Sequence, residues 1–387
     1  MPFTRGKERS RPLRSIVEEI KHLREVDGIQ EIVLLGQNVN SYHDRSEAAL
    51  AERPAVPTLS LSNSGFRSRT KRPNFGGYTF VDLIEEVSSI SPELRVRFTS
   101  PHPKDYPTEL LHLMAERPNI CNQIHLPAQS GSTTMLQRMK RGYSREAYLE
   151  LVHQIWDIIP DVALSSDFIA GFCAETEDEH QDTISLLQHV KYEQAFLFAY
   201  SLREKTYAHR RLEDNVPAET KQRRLQEIID TFREEVHKKN ERLEVGKLRL
   251  VLVEGKSKRH SDIWSGRTDQ NKRVLFPIEI ETSSNDQSKV ITRSGREVRA
   301  SLETKQYLHD IPMSDVNLPP SELKSGDYAV VEITEAKGHT LRGELLWQTS
   351  LSDFAEVERR FLSKMTIEEK GKFRDLFRPL RENRSAA

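Results

Sequence analysis

Between residue 16 and about residue 240, short apolar runs alternate with amphipathic stretches of helical period. This alternation constrains the fold more than any other feature, because it is typical of repeated β–α units that build a parallel sheet covered by helices. Each apolar run predicts a buried strand. The predicted strands are Glu31–Leu35, Leu94–Ser100, Gln123–Leu126, Ala163–Ile169 and Ala195–Tyr200.

The stretches between these strands carry apolar residues at three-to-four spacing, which predicts helices with one buried face. Three faces are clear. They comprise Ile16, Ile20 and Leu23 in the first stretch, Leu83, Ile84 and Val87 in the second, and Leu149, Val152, Ile155 and Trp156 in the third.

A different pattern begins near residue 245, where short alternating segments are separated by Gly, Asn and Asp turns. This pattern predicts a small all-β domain. A length of 387 residues corresponds to two or three domains. We predict an α/β domain over residues 1–240, a β barrel over 241–349 and a charged helical tail over 350–387. Polar, non-periodic segments at 43–79 and 281–322 predict solvent-exposed insertions.

Composition excludes several classes of protein. A formal net charge of -1 gives no whole-chain attraction to nucleic acid or to an anionic membrane, so such a site must be local. No apolar run approaches the eighteen or so residues that a membrane helix needs. The two cysteines, Cys121 and Cys173, cannot build a disulfide framework, which favours a reducing compartment. The basic N-terminus lacks an apolar core and predicts no clear targeting segment.

Glycine, amide and hydroxyl residues follow the predicted strands at their carboxyl ends. Parallel β–α sheets bind ligands at that edge. Each loop alone is ordinary turn chemistry, but together the loops suggest a polar cofactor or substrate in the mouth of a barrel. These segments are Gly36–Asn40 after the first predicted strand, Pro127–Ser132 after the third, and Ser165–Asp167 around the fourth, followed by Gly171–Thr176.

Two local basic clusters could contact phosphates. The first fourteen residues carry five basic side chains against Glu8, and the alternative is a solvated terminal arm. The predicted β domain has 17 basic and 17 acidic residues, yet Lys256, Lys258, Arg259 and His260 fall in one turn. His102 and His125 lie near strand ends, where a lone histidine is more often structural. The sequence shows no ligand spacing that predicts a metal site.

Several motifs, in this order, resemble the radical S-adenosylmethionine methylthiotransferases that modify tRNA, and the animal type most of all. They are TRGKERSRP, LLGQNVNSY, RFTSPHPKD, IHLPAQSGS, MKRGYSREAY, SSDFIAGFCAET and AYSLREKT, and with the β domain the resemblance covers about residues 2–349. It implies a partial (β/α) barrel that binds S-adenosylmethionine, followed by a TRAM-like barrel that holds tRNA. It also implies a methylthio transfer to C2 of N6-isopentenyladenosine beside the anticodon, with two 4Fe–4S clusters.

By this resemblance, nine residues belong to the cofactor pocket and further residues face RNA or the cofactor carboxylate. The pocket residues are Gly36, Gln37, Asn38, Gln129, Ser130, Ser166, Asp167, Gly171 and Glu175. The facing arginines are Arg5, Arg9, Arg11 and Arg203, to which the charge pattern adds Lys256, Lys258 and Arg259 as RNA-binding candidates. Ala174 stands where the family usually has Gly, which is harmless only if its φ is negative.

The sequence departs from the pattern of this family mainly in its cysteines. Family members carry a three-cysteine loop immediately before the segment that resembles Pro2–Gly6, whereas this chain begins at Met1. We therefore expect a chain that lacks the first barrel strand and the ligands of both clusters, and that is inactive alone. The alternative is a non-catalytic RNA-binding or regulatory protein. The resemblance implies tRNA as partner and a mitochondrial location, with the cytoplasm left open. A kinase partner is suggested only by the name of the animal type, and no membrane is implied.

Overall fold

The structure, a computed structural model, describes residues 9–54, 76–99, 102–103, 106–277, 289–291, 297–299 and 323–364. The chain divides into two compact units. The first comprises Met1–Ile120, Ile124–Ile159 and Leu164–Phe232, and the second comprises Cys121–Gln123, Pro160–Ala163 and Arg233–Ala387.

The first unit is built from alternating helices and parallel strands. Its helices are α1 (Leu13–Glu25), α2 (Glu47–Glu52), α3 (Phe80–Ser88), α4 (Thr108–Glu116), α5 (Thr133–Arg138), α6 (Arg145–Ile158), α7 (Glu177–Val190), α8 (Tyr207–Arg211) and the start of α9 (Ala218–Glu244), whose residues from Arg233 belong to the second unit. Its strands are β1 (Glu31–Leu34), β2 (His43–Asp44), β3 (Tyr78–Thr79), β4 (Arg95–Phe98), β5 (Gln123–His125), β6 (Ala163–Ala170) and β7 (Gln194–Ala199).

The predicted strands are confirmed to within two residues at each end. β1 pairs in parallel with β4, and Val96 of β4 forms a parallel bridge to Ile120. A second sheet has the order β5-β6-β7, and β6 and β7 are parallel. Residues of β4 are buried throughout, as expected for a strand covered on both faces.

Local sequence explains where the helices begin. Thr79 and Asp82 form a capping box at α3, and Thr176 and Glu179 form another at α7. In each box the threonine hydroxyl accepts an N–H that the first helical turn cannot satisfy, while the acid accepts the N–H of the cap residue. The three apolar faces predicted from sequence lie on α1, α3 and α6.

The segment 43–79 is more regular at its ends than its sequence predicts. Strands β2 and β3 pair antiparallel, and α2 lies between them in sequence. The Gly77 N–H donates to the Arg53 carbonyl at 2.9 Å, so the chain leaves and returns at one place. A strand of two residues is too short to show the alternation of apolar and polar residues, which takes at least four residues to recognise. Residues 55–75 lie outside the described part.

The second unit contains a closed five-stranded barrel in the part of the chain where short strands are predicted. Its strands run in the order β10-β14-β13-β8-β9. β10 and β14 pair in parallel and the other pairs are antiparallel. The elements are β8 (Leu248–Lys256), β9 (Ile263–Arg267), β10 (Arg273–Pro277), β11 (Lys289–Ile291), β12 (Glu297–Arg299), β13 (Tyr328–Lys337), β14 (Thr340–Thr349) and the helix α10 (Leu351–Lys364).

Apolar side chains fill the barrel, with Val251, Val274, Val331 and Ile333 at its centre. Register shifts interrupt the β13–β14 ladder twice and the β8–β9 ladder once. Such bulges increase local twist and help a small sheet to close. The β11–β12 pair is the described part of the segment 281–322. The predicted tail begins as α10, and residues 365–387 lie outside the described part.

Among the described residues, no helix is both long enough and apolar enough to cross a membrane.

Candidate functional site

The loop after β1 is held by its own asparagines. The side-chain oxygens of Asn38 and Asn40 both accept the N–H of His102, at 3.1 and 2.8 Å, and the Asn40 amide donates to the His102 carbonyl at 3.0 Å. Gly36 and Gln37 are exposed at the start of this loop. Asn38 therefore fixes the loop by its side chain, and Gln37 presents an amide to solvent.

Gln129, in the loop after β5, has a left-handed backbone with φ of 68°. Its N–H donates to the Asp167 carbonyl at 2.8 Å, and its carbonyl accepts from the Ile169 N–H at 3.0 Å. A non-glycine residue in this conformation costs of order 1–3 kcal/mol and is concentrated at functional sites. Gln129 thus extends the pairing with β6 to the carboxyl edge of the sheet.

Ser130 and Gly131 are explained by contacts within the chain. The Ser130 hydroxyl lies 3.2 Å from the Thr183 hydroxyl and is buried, while the Gly131 N–H donates to Thr183 at 3.0 Å. A Cβ on Gly131 would lie 2.3 Å from the Asp182 carbonyl oxygen. The glycine is needed because the loop packs closely on α7, which is a structural reason rather than a ligand-binding one.

Ser166 and Asp167 are adjacent on β6 and therefore lie on opposite faces of the sheet. Ser166 is fully buried; its hydroxyl accepts the Ala128 N–H at 2.9 Å. Asp167 lies on the other face, where 28% of its side chain is exposed. Of these two residues, only Asp167 is available to a ligand. We call the face of the β5-β6-β7 sheet that carries Asp167 the open face.

The loop after β6 is closed on itself by Glu175. The Gly171 N–H donates to Glu175 Oε2 at 2.7 Å, and Arg224 Nη1 lies 3.1 Å from the same oxygen. Burial raises the pKa of Glu175, although the Gly171 N–H and the Arg224 guanidinium act in the opposite direction. Gly171 and Glu175 thus hold the loop to α9. Ala174 has a φ of 55°, so the condition under which alanine is harmless there is not met.

Three residues converge on the open face with Asp167, and sequence reasoning did not assign them. His125 Nδ1 lies 3.0 Å from Ser165 Oγ, and its Nε2 lies 3.4 Å from Asp167 Oδ2. The His125 ring packs edge-on against Phe196, with centroids 5.8 Å apart. Phe196 and Phe198 are 43% and 53% exposed. Phe196 and Phe198 are two residues apart on β7, and this spacing was the sequence signal that they share one face of the sheet.

The basic residues predicted to contact RNA differ in their exposure and in their contacts within the chain. Arg5 lies outside the described residues, and Arg9 and Arg203 are exposed. Arg11 bonds to Ser15 at 2.8 Å and forms an ion pair with Glu19, so part of its charge is used within α1. At the end of β8 and in the turn after it lie three exposed cations, Lys256, Lys258 and Arg259.

One group of possible metal ligands is present among the described residues. Glu177, His180 and Glu227 place one ligand atom each within 4.8 Å of one another. Arg223 forms ion pairs with both glutamates, and Arg224 pairs with Glu177. Guanidinium groups already neutralise the carboxylates, so this group is an ion-pair network.

Comparison with known proteins gives the class first. Residues 2–187 match the model of the radical SAM superfamily, and this part of the chain is a radical SAM region. Among solved structures, the Escherichia coli coproporphyrinogen III oxidase, a radical SAM enzyme, is 13% identical with a TM-score of 0.34 over 49% of this chain and 51% of that chain.

More specific relatives are tRNA methylthiotransferases. The chain is 49% identical to the Homo sapiens mitochondrial tRNA methylthiotransferase CDK5RAP1 over 368 residues, covering 91% of this chain and 55% of the relative. It is 45% identical to the tRNA-2-methylthio-N(6)-dimethylallyladenosine synthase of Chloroherpeton thalassium, covering 72% and 54%. The resemblance seen in the motifs is confirmed. The chain spans about half the length of the curated relatives it matches.

The residues present do not fit an iron–sulfur cluster of the radical SAM type. The chain has two cysteines, whereas the resemblance implies three thiolates for each cluster. Cys121 and Cys173 are 2% and 1% exposed, and Cys173 packs in an apolar cluster with Met135 and Phe172.

Proposed function

We propose that this chain is part of a radical SAM tRNA methylthiotransferase. The proposed reaction adds a methylthio group to C2 of N6-isopentenyladenosine near the anticodon. The observation that carries this proposal is the 49% identity over 91% of the chain to a tRNA methylthiotransferase. A parallel sheet with ligand-accessible groups at its carboxyl edge supports it. Since the Homo sapiens relative is named mitochondrial, we also propose a mitochondrial location.

S-adenosylmethionine is the cofactor that we propose for the first unit, where it would supply a radical and a methyl group. The polar groups at the carboxyl edge of the sheet suit this cofactor. Exposed Gln37 and the partly exposed Asp167 offer an amide and a carboxylate acceptor, and Gln129 has a strained conformation at the same edge of β6. Gly36 leaves backbone accessible beside Gln37. Ser130, Ser166, Gly171 and Glu175 then support the loops rather than contact the cofactor.

We propose tRNA as the partner, with the second unit as a TRAM-like module. The exposed Lys256, Lys258 and Arg259 place three cations at one end of β8, where RNA phosphates could pair with them. Arg9 and Arg203 would add contacts from the first unit. These same cations favour the second candidate function, an RNA-binding protein without catalysis. A kinase partner has no support in the described contacts and is not proposed.

A chimaera tests the catalytic proposal. The part of the Chloroherpeton thalassium synthase that aligns with this chain is replaced by the chain itself, so that the synthase supplies its own upstream cysteines. We expect 2-methylthio-N6-isopentenyladenosine in tRNA from cells that lack their own methylthiotransferase, measured by nucleoside mass spectrometry. The matched control carries Asp167→Ala, which removes the carboxylate from the open face.

The result separates the two candidate functions. Product formed by the chimaera and absent from the Asp167→Ala control supports the enzyme. A chimaera that assembles its clusters and binds tRNA but forms no product contradicts the enzymatic proposal and leaves the RNA-binding one.

A further inference from the structure

The open face carries a row of polar groups whose exposure rises toward the carboxyl end of β6. Ser165 and Asp167 are two residues apart on this strand, so their side chains lie on the same face. Ser165 is 3% exposed, whereas 28% of the Asp167 side chain is exposed. His125 of β5 contacts both residues. Its imidazole therefore joins a buried hydroxyl to a carboxylate that a ligand can reach.

The two ring nitrogens of His125 face different partners. Nδ1 lies 3.0 Å from Ser165 Oγ, and Nε2 lies 3.4 Å from Asp167 Oδ2. The ring also packs edge-on against Phe196 of β7, with centroids 5.8 Å apart. Contacts at both nitrogens and with the aromatic ring leave the imidazole little freedom to rotate. A side chain whose rotamer is fixed in this way can hold a neighbouring functional group in place.

The Ser165 hydroxyl selects which nitrogen of a neutral His125 imidazole carries the proton. A carboxylate without its proton only accepts hydrogen bonds, so Asp167 needs a proton on Nε2. Nδ1 is then an acceptor, and the Ser165 hydroxyl can donate to it. The other acceptor near this hydroxyl, the Ile124 carbonyl, is farther away at 3.5 Å. Ser165 and Asp167 thus favour the same tautomer, in which the Nε2–H is directed at the carboxylate.

The Asp167 carboxylate depends on this donor for its orientation. Within the described part of the chain, no other side chain forms a hydrogen bond or an ion pair with it. The 3.4 Å separation is longer than an ordinary hydrogen bond, and contacts of this kind at binding sites often shorten once a ligand is bound. Without His125, the carboxylate would have to be ordered by the ligand itself, which lowers affinity.

We propose that His125 is a positioning residue for the cofactor site, which rests on the proposed function. The Nε2–H of His125 holds Oδ2 of Asp167, so that Oδ1 is directed at a donor group of S-adenosylmethionine. Ser165 fixes the tautomer, and Phe196 limits the rotation of the ring. His125 itself does not contact the cofactor, and its effect on binding passes through Asp167.

The binding test compares two amide replacements of His125 in the full chain. The side-chain nitrogen of glutamine lies about where Nε2 of histidine does, whereas that of asparagine lies about where Nδ1 does. S-adenosylmethionine is the probe, and its dissociation constant is measured by equilibrium dialysis. We expect His125→Asn to weaken binding about fivefold, because the ligand must then order the Asp167 carboxylate. His125→Gln, which keeps a donor beside Asp167, should stay within about twofold of the unaltered chain.

A double variant tests whether His125 acts through Asp167. Asp167→Ala should weaken binding about tenfold, since a hydrogen bond to a charged group is lost. In the Asp167→Ala background, His125→Asn should change the affinity by less than about twofold, because the group through which it acts is gone. His153→Asn is the matched control. The His153 ring packs against Trp156 and His189 on helices α6 and α7, and this change should leave the affinity unaltered.

A second measurement needs no ligand. Nitrogen-15 NMR of the imidazoles shows which ring nitrogen is protonated, and the signals of His125 are those lost in His125→Gln. We expect a proton on Nε2. An Nε2 without a proton overturns the inference, and this measurement on the unaltered chain decides it even where a His125 variant does not fold.

The binding outcomes separate the inference from the proposed function. If the unaltered chain does not bind S-adenosylmethionine, the inference fails together with the cofactor part of the proposed function. If the chain binds it, equal affinities of His125→Asn and His125→Gln show that the imidazole only packs the sheet, and the proposed function stands. A full additional loss of about fivefold in the double variant shows that His125 contacts the cofactor itself, which also overturns the inference.

Discussion

Lys272 and Glu244 form an ion pair within the second unit, with Nζ and Oε1 2.7 Å apart and 8% and 3% of their side chains exposed. The other oxygen of Glu244 accepts the Nε–H of Arg249 at 2.7 Å. Lys272 also donates to Asn240 at 2.8 Å. One carboxylate thus joins the last turn of α9 to β8 and to the residue before β10.

Removing this carboxylate should destabilise the second unit strongly. Glu244→Gln leaves Arg249 and Lys272 buried without their counter-charge, which costs about 3–5 kcal/mol. We expect a lower midpoint for the barrel transition in denaturant unfolding followed by Trp fluorescence. Glu335→Gln is the control, because Glu335 pairs with Lys337 at an exposed position and should change stability by less than about 1 kcal/mol. Equal effects of the two changes would contradict the buried network.

The same carboxylate predicts a dependence on pH. Burial alone would raise the pKa of Glu244, but the charges of Arg249 and Lys272 hold it below its ordinary value of 4.5. A carboxyl whose pKa is lowered by folding contributes stability above its unfolded pKa and loses it as pH falls through the folded pKa. The stability difference between the unaltered chain and Glu244→Gln should therefore be constant near neutral pH and shrink below about pH 4.5. A difference that grows in acid would show the opposite sign.

The sequence predicted five of the seven strands of the first unit, because each of these five contains apolar residues between segments of helical period. It could not decide which of Ser166 and Asp167 is open to a ligand, because strand alternation places them on opposite faces but does not show which face is buried. The meeting of His125 with Phe196 depends on the pairing of three strands. Glu244 resembles a solvated helix residue in the sequence, because its partners Arg249 and Lys272 are fixed only by the closed barrel.

Ala174→Gly should stabilise the first unit. Ala174 has a φ of 55°, a conformation that costs an L-residue about 1–2 kcal/mol, while glycine has no Cβ to clash. Glycine loses more chain entropy on folding, so the net gain should be about 0.5–1 kcal/mol. The Ala174 N–H bond to Asn215 at 2.9 Å should persist. Thermal unfolding measures the change.

The control for this substitution is Ala147→Gly. Ala147 is buried within helix α6, where glycine costs about 1 kcal/mol relative to alanine. The two substitutions should shift the unfolding midpoint in opposite directions. A shift of the same sign would mean that the loop after β6 does not constrain residue 174 to a positive φ.

The last prediction concerns RNA binding by the second unit. Lys256, Lys258 and Arg259 are exposed at one end of β8, whereas the 17 basic and 17 acidic residues of 241–349 cancel overall. Changing all three cations to Ala should weaken tRNA binding by the full chain. It should also reduce the slope of log K against log salt by about one for each phosphate that the variant no longer neutralises. Affinities are measured by filter binding between low and physiological salt.

The matched control removes three other cations of the same barrel, Lys324, Lys337 and Arg342, of which the last two pair with Glu335. Equal reductions of affinity and slope in both triple variants would show that charge alone, and not the turn after β8, governs binding.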